Sequence, residues 1–271
     1  MSKNDQRVAL ITGASSGIGQ ATAQALKQVG YRVFGTSRKA ASRDVAGITM
    51  LSCDVTDEAS VQQMVAEVLK QAGRIDLLVN NAGIGLLGGA EESSSAQAQA
   101  LFNVNVFGLL RVTNAVLPTM RQQKRGRLIN MSSILGLIPS PYNALYASTK
   151  HAVEGYSESF DHELRTLGIR VVLVEPGVTR TAFDDNIVQP DRQLPVYDSE
   201  RSRMRALMGN WIQTGDAPEV VAATVVQAAN AAEPKRRYPA GKQARQVRLL
   251  RRFLPEAVVD RALRKVNGMP V

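Results

Sequence analysis

Tyr146 and Lys150 stand four residues apart in the run Tyr146-Ala147-Ser148-Thr149-Lys150. On a helix that spacing puts both side chains on one face. A tyrosine with its ordinary pKa of ~10 exchanges protons poorly at neutral pH. A neighbouring ammonium favours phenolate and lowers that pKa. The pair therefore has the chemistry of a general acid–base. Taken alone, such a spacing is most often a coincidental surface pair.

A second constellation lies near the start. Thr12-Gly13-Ala14-Ser15-Ser16-Gly17-Ile18-Gly19 follows a short apolar run and opens a helical pattern reaching Val29. Glycines at a strand-to-helix turn let backbone approach a pyrophosphate, whose charge suits the helix N-terminus. The glycines at 13, 17 and 19 depart from the commoner G-x-G-x-x-G spacing. A turn that simply needs glycine is the alternative reading. The end of the second apolar run then bears on which dinucleotide fits. An acid there binds a free ribose 2′-hydroxyl. Here Ser37, Arg38 and Lys39 occupy the position. A guanidinium binds phosphate through paired donors. The expectation is NADP(H) in preference to NAD(H), with an ordinary surface arginine at 38 as the alternative.

These residues need a frame. β-Branched runs recur at Val8–Thr12, Tyr31–Ser37, Ile48–Cys53, Ile75–Asn80, Arg127–Met131 and Ile169–Glu175. Helix-length segments separate them, with spacings such as Val61, Val65, Val68 and Leu69. Alternating strands and helices imply an α/β fold with a mostly parallel sheet covered on both faces. Ser93–Ala100 reads as a helix start. Residues 184–215 break the rhythm with Pro190, Pro195, three Met/Leu positions and the only tryptophan, Trp211. They read as an insertion with its own short helix, over the substrate side.

The chain has 271 residues and 44% apolar content, enough for one α/β domain spanning 1–271. Cys53 is its only cysteine, which excludes an internal disulfide. With two histidines, His151 and His162, a Cys/His zinc site is close to excluded, and no metal is expected. Both histidines read as packing or surface groups. The start, Met1 to Val8, is polar and lacks a signal peptide's apolar stretch, and no window of ~18 apolar residues suggests a membrane span. A cytoplasmic setting is the simpler expectation. The net charge of +9 is uneven. Residues 233–271 hold eleven Lys/Arg against three Asp/Glu. Within this basic arm (235–271), Val247, Leu250 and Leu254 share a helical face, as do Val258, Val259, Ala262, Leu263 and Val266. Pro255 separates the two stretches. A helical arm packed on the body, or a contact with membrane or another anionic partner, fits this pattern. Nucleic-acid binding is not expected, because no aromatic platform accompanies the charge.

Taken together, the motifs resemble the short-chain dehydrogenase/reductase family of the single-domain Rossmann type. The matching runs are Thr12–Gly19, Asn80-Asn81-Ala82-Gly83, Asn105 within Phe102–Gly108, Ser132-Ser133, Tyr146–Lys150 and Pro176-Gly177-Val178-Thr179-Arg180-Thr181. They occur in the family's order over residues 7 to 181. The resemblance implies a doubly wound, seven-stranded sheet. It implies Tyr146 as acid–base group and Ser133, rather than Ser132, as hydrogen-bond donor to the substrate oxygen. Lys150 would depress the tyrosine pKa and hold the nicotinamide ribose, and Asn105 would hold a relay water behind it. The pyrophosphate would rest on Gly13, Ser15, Ser16, Gly17, Ile18 and Gly19. Ser37 and Arg38 would meet the ribose phosphate, and Asp54 and Val55 the adenine. Asn81, Ala82 and Gly83 would wall the cofactor, with Asn80 structural. Pro176, Gly177, Val178, Thr179 and Thr181 would hold the carboxamide.

The implied activity is NADP(H)-dependent interconversion of a carbonyl and an alcohol. Ile84–Gly89, Ile134–Asn143 and the 184–215 insertion would line the substrate side. Their apolar content suits a bulky lipophilic substrate, steroid-, retinoid- or lipid-like. Arginines 192, 201, 203 and 205 are an alternative receptor for an acidic group. The tail from Arg237 resembles hydroxysteroid and retinol dehydrogenase-like members. Other outcomes are an epimerase or dehydratase using the same residues, or a non-catalytic NADPH-binding regulator. The family's habit of pairing through helices around Ser94–Gln123 and Leu145–Leu167 implies a homodimer or homotetramer.

Overall fold

The structure is a computed structural model that describes residues 6–39, 43–181, 183 and 187–270. The first five residues, the start of the 184–215 segment and Val271 lie outside the described residues.

Strands form at the apolar runs: β1 Val8–Ile11, β2 Arg32–Ser37, β3 Arg43–Val45, β4 Ile48–Ser52, β5 Leu77–Asn80, β6 Gly126–Met131, β7 Ile169–Pro176 and β8 Arg237–Ala240. They make one sheet in the order β3-β4-β2-β1-β5-β6-β7-β8. All neighbours pair in parallel except β3 and β4. The expected seven strands are thus eight among the described residues. The three-residue β3 folds back antiparallel on the β4 edge. β8 is short and carries Pro239, which only an edge strand tolerates well.

The helices are α1 Gly17–Gln28, α2 Glu58–Ala72, α3 Ser95–Phe102, α4 Leu109–Gln123, α5 Ala144–Leu164, α6 Asp198–Thr214, α7 Pro218–Asn230, α8 Lys242–Phe253 and α9 Glu256–Val266. Local chemistry sets several ends. Asp57 caps α2 by accepting from the Ala59 amide, and Gly73 closes it at φ +69°. Ser94 caps α3 by accepting from Gln97. The insertion's helix, α6, has 17 residues and is not short.

Alternation along each strand divides the core. Ala9, Ile11, Val33 and Val79 face α1 and α7. Val8, Leu10, Phe34 and Leu78 face α2 and α4. Burying the alternate residues of one strand on opposite faces is what a doubly wound sheet requires. The continuous helical stretch Ser95–Gln123 is long and apolar enough to cross a membrane by composition. That qualifies the sequence expectation, but Val112, Val116, Leu117 and Met120 pack into the sheet core. Its apolar face is a core face.

The strand order reverses between β1 and β5. At such a switch point the loops beyond the strands diverge and leave a crevice. Thr12–Gly19 and Asn80–Gly83 leave those two strands there.

Candidate active site

The crevice floor is tied together by Thr12 and Asn81. Thr12 Oγ1 accepts from the Asn81 and Ala82 amides, each at 3.0 Å. Asn81 Nδ2 donates to the Thr12 and Gly13 carbonyls at 3.0 and 3.1 Å. Gly13 sits at φ +67°, where a Cβ is strained. A Cβ on Gly19 would run into the Gly13 carbonyl and the Asn81 amide. Ser16 precedes α1 without a side-chain cap, and the first turn holds no acid. The helix therefore presents amides without a competing side-chain carboxylate, as a bound phosphate requires. These features fit a dinucleotide pyrophosphate.

Ser37, Arg38, Asp54 and Val55 line the next part of the same cavity. Asp54 Oδ1 accepts from the Thr56 amide at 2.9 Å and hydroxyl at 2.7 Å. These bonds, with Arg38 and Arg111 nearby, hold its carboxyl below the usual range. Cys53 also lines this wall, but burial pushes its thiol up to about 11, so it is no nucleophile.

Four elements bring the catalytic candidates together. Tyr146 and Lys150 share one face of α5, with the Lys150 ammonium 5.6 Å from the tyrosine ring centre. Lys150 Nζ donates to the Met131 carbonyl at 2.9 Å. Burial lowers its pKa to about 8, opposed by Glu154 one turn away. Ser133 follows β6 and caps a short turn by accepting from the Leu135 amide at 3.1 Å. Asn105 sits in a π-helical turn, Asn103–Gly108, between α3 and α4. Such one-turn bulges re-aim a side chain within a helix. Its Oδ1 accepts from the Ile84 amide, and its Nδ2 donates to the Ile84 carbonyl and Thr149 Oγ1. Both amide hydrogens are used. Unlike the other expected site residues, Asn105 does not line the cavity. The side chain braces the Gly83–Ile84 wall from behind.

Every expected cofactor residue does line it: the Gly13–Gly19 turn, Asn81, Ala82 and Gly83, Tyr146, Lys150, and Pro176, Gly177, Val178, Thr179 and Thr181. Asn80 lies behind them. Its Nδ2 donates to Asn130 and Thr113, and Asn130 donates on to Ser157. That buried chain joins β5, β6, α4 and α5, a structural role. His151 and His162 are exposed, with His151 Nδ1 against the Ala147 carbonyl. Among the described residues no Asp/Glu/His/Cys group could hold a metal.

The cavity measures about 990 Å³ in all and continues beyond Ser133 and Tyr146. Its far walls are Ile84–Leu86, Ile134, Leu135 and Ile138, and Met208, Trp211 and Ile212 of α6. Leu137 and Tyr142 do not reach it. Nor do arginines 192, 201, 203 and 205. Arg201 is buried against Glu92 and Asp198, Arg203 pairs with Glu200, and Arg205 donates to Gln189. These four arginines therefore do not form a receptor for an acidic group in the cavity.

Two groups escaped the sequence reading. The basic arm is a wall: Val247, Leu250, Leu254, Val259, Leu263 and Val266 all face the cavity. Its two apolar stripes were visible, but not what they pack against. The second group is a buried ionic cluster beneath Lys150. Arg237 on β8 meets Glu154 and Glu158 of α5, each at 3.0 Å, and Glu175 of β7 at 3.5 Å. Burial and the nearby Glu154 push Glu175 up to about 7.

Residues 7–192 match the model of the short chain dehydrogenase family, and the chain belongs to that family. With it comes the class: an oxidoreductase acting between CH–OH and C=O groups. A 3-ketodihydrosphingosine reductase of Bacteroides thetaiotaomicron is 45% identical over 180 residues, 66% of this chain and 66% of that protein. Retinol dehydrogenase 8 of Bos taurus is 34% identical over 252 residues, 84% of this chain and 79% of that one. A solved short-chain dehydrogenase from Streptomyces avermitilis superimposes with TM-score 0.81 at 30% identity, over 98% of this chain and 99% of that one. Two further structures hold different cofactors. ElxO with NADP bound has TM-score 0.72 at 29% identity, over 87% and 97% of the two chains. A Burkholderia phymatum family member in complex with NAD has TM-score 0.80 at 28% identity, over 92% and 94%.

Proposed function

We propose that this protein reduces the carbonyl of a bulky lipophilic substrate with NADPH. The observation that carries the reading is one continuous cavity. It runs from the glycine turn, past Ser133, Tyr146 and Lys150, into an apolar chamber. When bound, the dinucleotide supplies the hydride. The protein's part is alignment and proton transfer. Tyr146 donates its hydroxyl proton to the carbonyl oxygen as charge develops there. Ser133 donates a hydrogen bond to the same oxygen. Lys150, held by the Met131 carbonyl, favours the phenolate left on Tyr146. Asn105 keeps the Gly83–Ile84 wall in register.

Arg38, with no acid at the end of β2, favours a 2′-phosphate and hence NADP(H). The apolar chamber and the ketosphinganine- and retinol-type names of two relatives favour a long-chain or ring lipid carbonyl. We extend the proposal to a homo-oligomer formed through α3–α4 and α5, where Phe107 is exposed and Tyr156 stacks on Phe160 at 5.1 Å. A cytoplasmic setting with membrane contact through the arm completes it.

The test is NADPH oxidation, followed by absorbance, against ketones and aldehydes running from small and polar to steroid-sized. Turnover is expected to be measurable with small soluble ketones and to rise with the size and lipophilicity of the carbonyl. NADPH binding with no turnover of any carbonyl favours the regulator, and tightly retained cofactor with no net consumption favours an epimerase or dehydratase.

A further inference from the structure

We infer that α8 docks on an anionic phospholipid surface and that the cavity opens into it between α8 and the end of α9, so the substrate enters from the lipid phase. The inference rests on the lipophilic-carbonyl reading above and names the surface that serves that site.

Helix α8 carries Lys242, Arg245, Arg248, Arg251 and Arg252 and no acid. Its inward side is set by Ala244, which is buried, and Val247, which faces the cavity. Helical geometry then puts Leu249 and Phe253 outward, one turn apart. Leu249 is 58% exposed and Phe253 71% exposed. Lys242, Arg245 and Arg252 flank them on the same wheel. One turn apart, Leu249 and Phe253 make an apolar patch rather than scattered single residues. An apolar tip ringed by cations is the pattern of a helix lying in a membrane interface.

The cavity rim adjoins this pair, since Leu250 follows Leu249 and Leu254 follows Phe253 in the chain. Leu250, Leu254 and Val266 line the cavity while remaining 51%, 38% and 62% exposed. They form an apolar rim through which a lipid can pass without crossing water. Sharing Arg251 with the cavity is a cleft of about 470 Å³, lined by Lys235, Arg236, Arg248, Arg251 and Arg252 together with Leu137 and Glu158. Arg237 also borders it but is used by Glu154 and Glu158. Arg251 lines both the cleft and the cavity. Headgroup phosphates complement such a cationic hollow. A second copy of the chain does not, since a two-fold contact through this face would set cations against cations.

The experiment is co-sedimentation of the full chain with vesicles of phosphatidylcholine alone or mixed with phosphatidylserine. Two double variants accompany it, Leu249→Ser with Phe253→Ser and Lys242→Glu with Arg245→Glu. None of these four side chains lines the cavity. The full chain should bind only the serine-lipid vesicles and release in high salt. Each double variant should bind at least tenfold more weakly. Both should keep parental turnover of a small water-soluble ketone and lose at least tenfold with a long-chain ketone dissolved in vesicles. Failure of the full chain to bind anionic vesicles overturns the docking, as does parental binding by both variants. Conversion of an oligomer to monomer by Leu249→Ser with Phe253→Ser, without vesicle binding by the parent, assigns the patch to a second copy instead. Soluble-ketone turnover without vesicle binding defeats the docking alone. Vesicle binding without reduction of any ketone defeats the reductase reading alone.

Discussion

The Lys150 ammonium lies 5.6 Å from the centre of the Tyr146 ring while donating a 2.9 Å hydrogen bond to the Met131 carbonyl. One cation thus joins the acid–base residue of α5 to the end of β6, where Ser133 begins. Its position depends on burial, and burial lowers its pKa to about 8. Lys150 is therefore charged at neutral pH and releases its proton at mildly alkaline pH. We expect kcat/KM for carbonyl reduction to hold level below about pH 8 and to fall above it. A pH profile of the wild-type protein checks this, and a level profile to pH 10 rejects it.

Replacing Tyr146 by Phe removes the hydroxyl and keeps the ring. Turnover should fall by about 10²–10⁴-fold, the usual worth of a positioned proton donor. NADPH binding, read by fluorescence titration, should persist. A mutant with near-parental turnover would take Tyr146 out of its role.

Cofactor choice is expected to lie at the end of β2. Ser37→Asp with Arg38→Ala removes a charge-assisted phosphate contact and adds a repelling carboxylate. Such contacts contribute about 1.5–3 kcal/mol, so the NADPH/NADH ratio of kcat/KM should drop by roughly 10–100-fold. An unchanged ratio would show that Arg38 is a surface arginine only.

The Arg237 cluster predicts a stability effect with a definite sign. Glu175 has its pKa raised from 4.5 to about 7 by burial and by Glu154, against Arg237 and Arg248, with Glu158 adding to the rise. Between those two values the folded state holds a proton that the unfolded state has released. Stability attributable to Glu175 is therefore present below about pH 4.5 and lost as pH rises through 7. Glu175→Gln should flatten that decline in urea unfolding at pH 5 and pH 8, an effect of roughly 2–3 kcal/mol. Arg237→Met should instead cost about 3–5 kcal/mol, because it leaves buried carboxylates without their cation.

The parallel strands and the motif loops were legible in the sequence for local reasons. β-Branched and apolar runs read as strands, so β1, β2 and β4 to β7 announce themselves. The glycine turn and the Tyr146–Lys150 spacing depend only on backbone conformation and helical pitch. β8 stayed hidden because Arg-Tyr-Pro-Ala is too short and too polar at one end to read as a strand. Its pairing with β7 is what delivers Arg237 to Glu154, Glu158 and Glu175, residues 60 or more positions away.

Short-range periodicity and turn chemistry determined the class of fold, the order of most of its elements, the glycine turn and the Tyr146–Lys150 pair, and the resemblance to the family implied the other residues that line the cofactor crevice. Tertiary structure decided the rest. It turned Asn105 from the cavity toward Ile84. It withdrew arginines 201, 203 and 205 into local contacts and made the basic arm a wall of the chamber. These outcomes depend on which distant surfaces meet when the sheet closes, and no local pattern encodes that meeting.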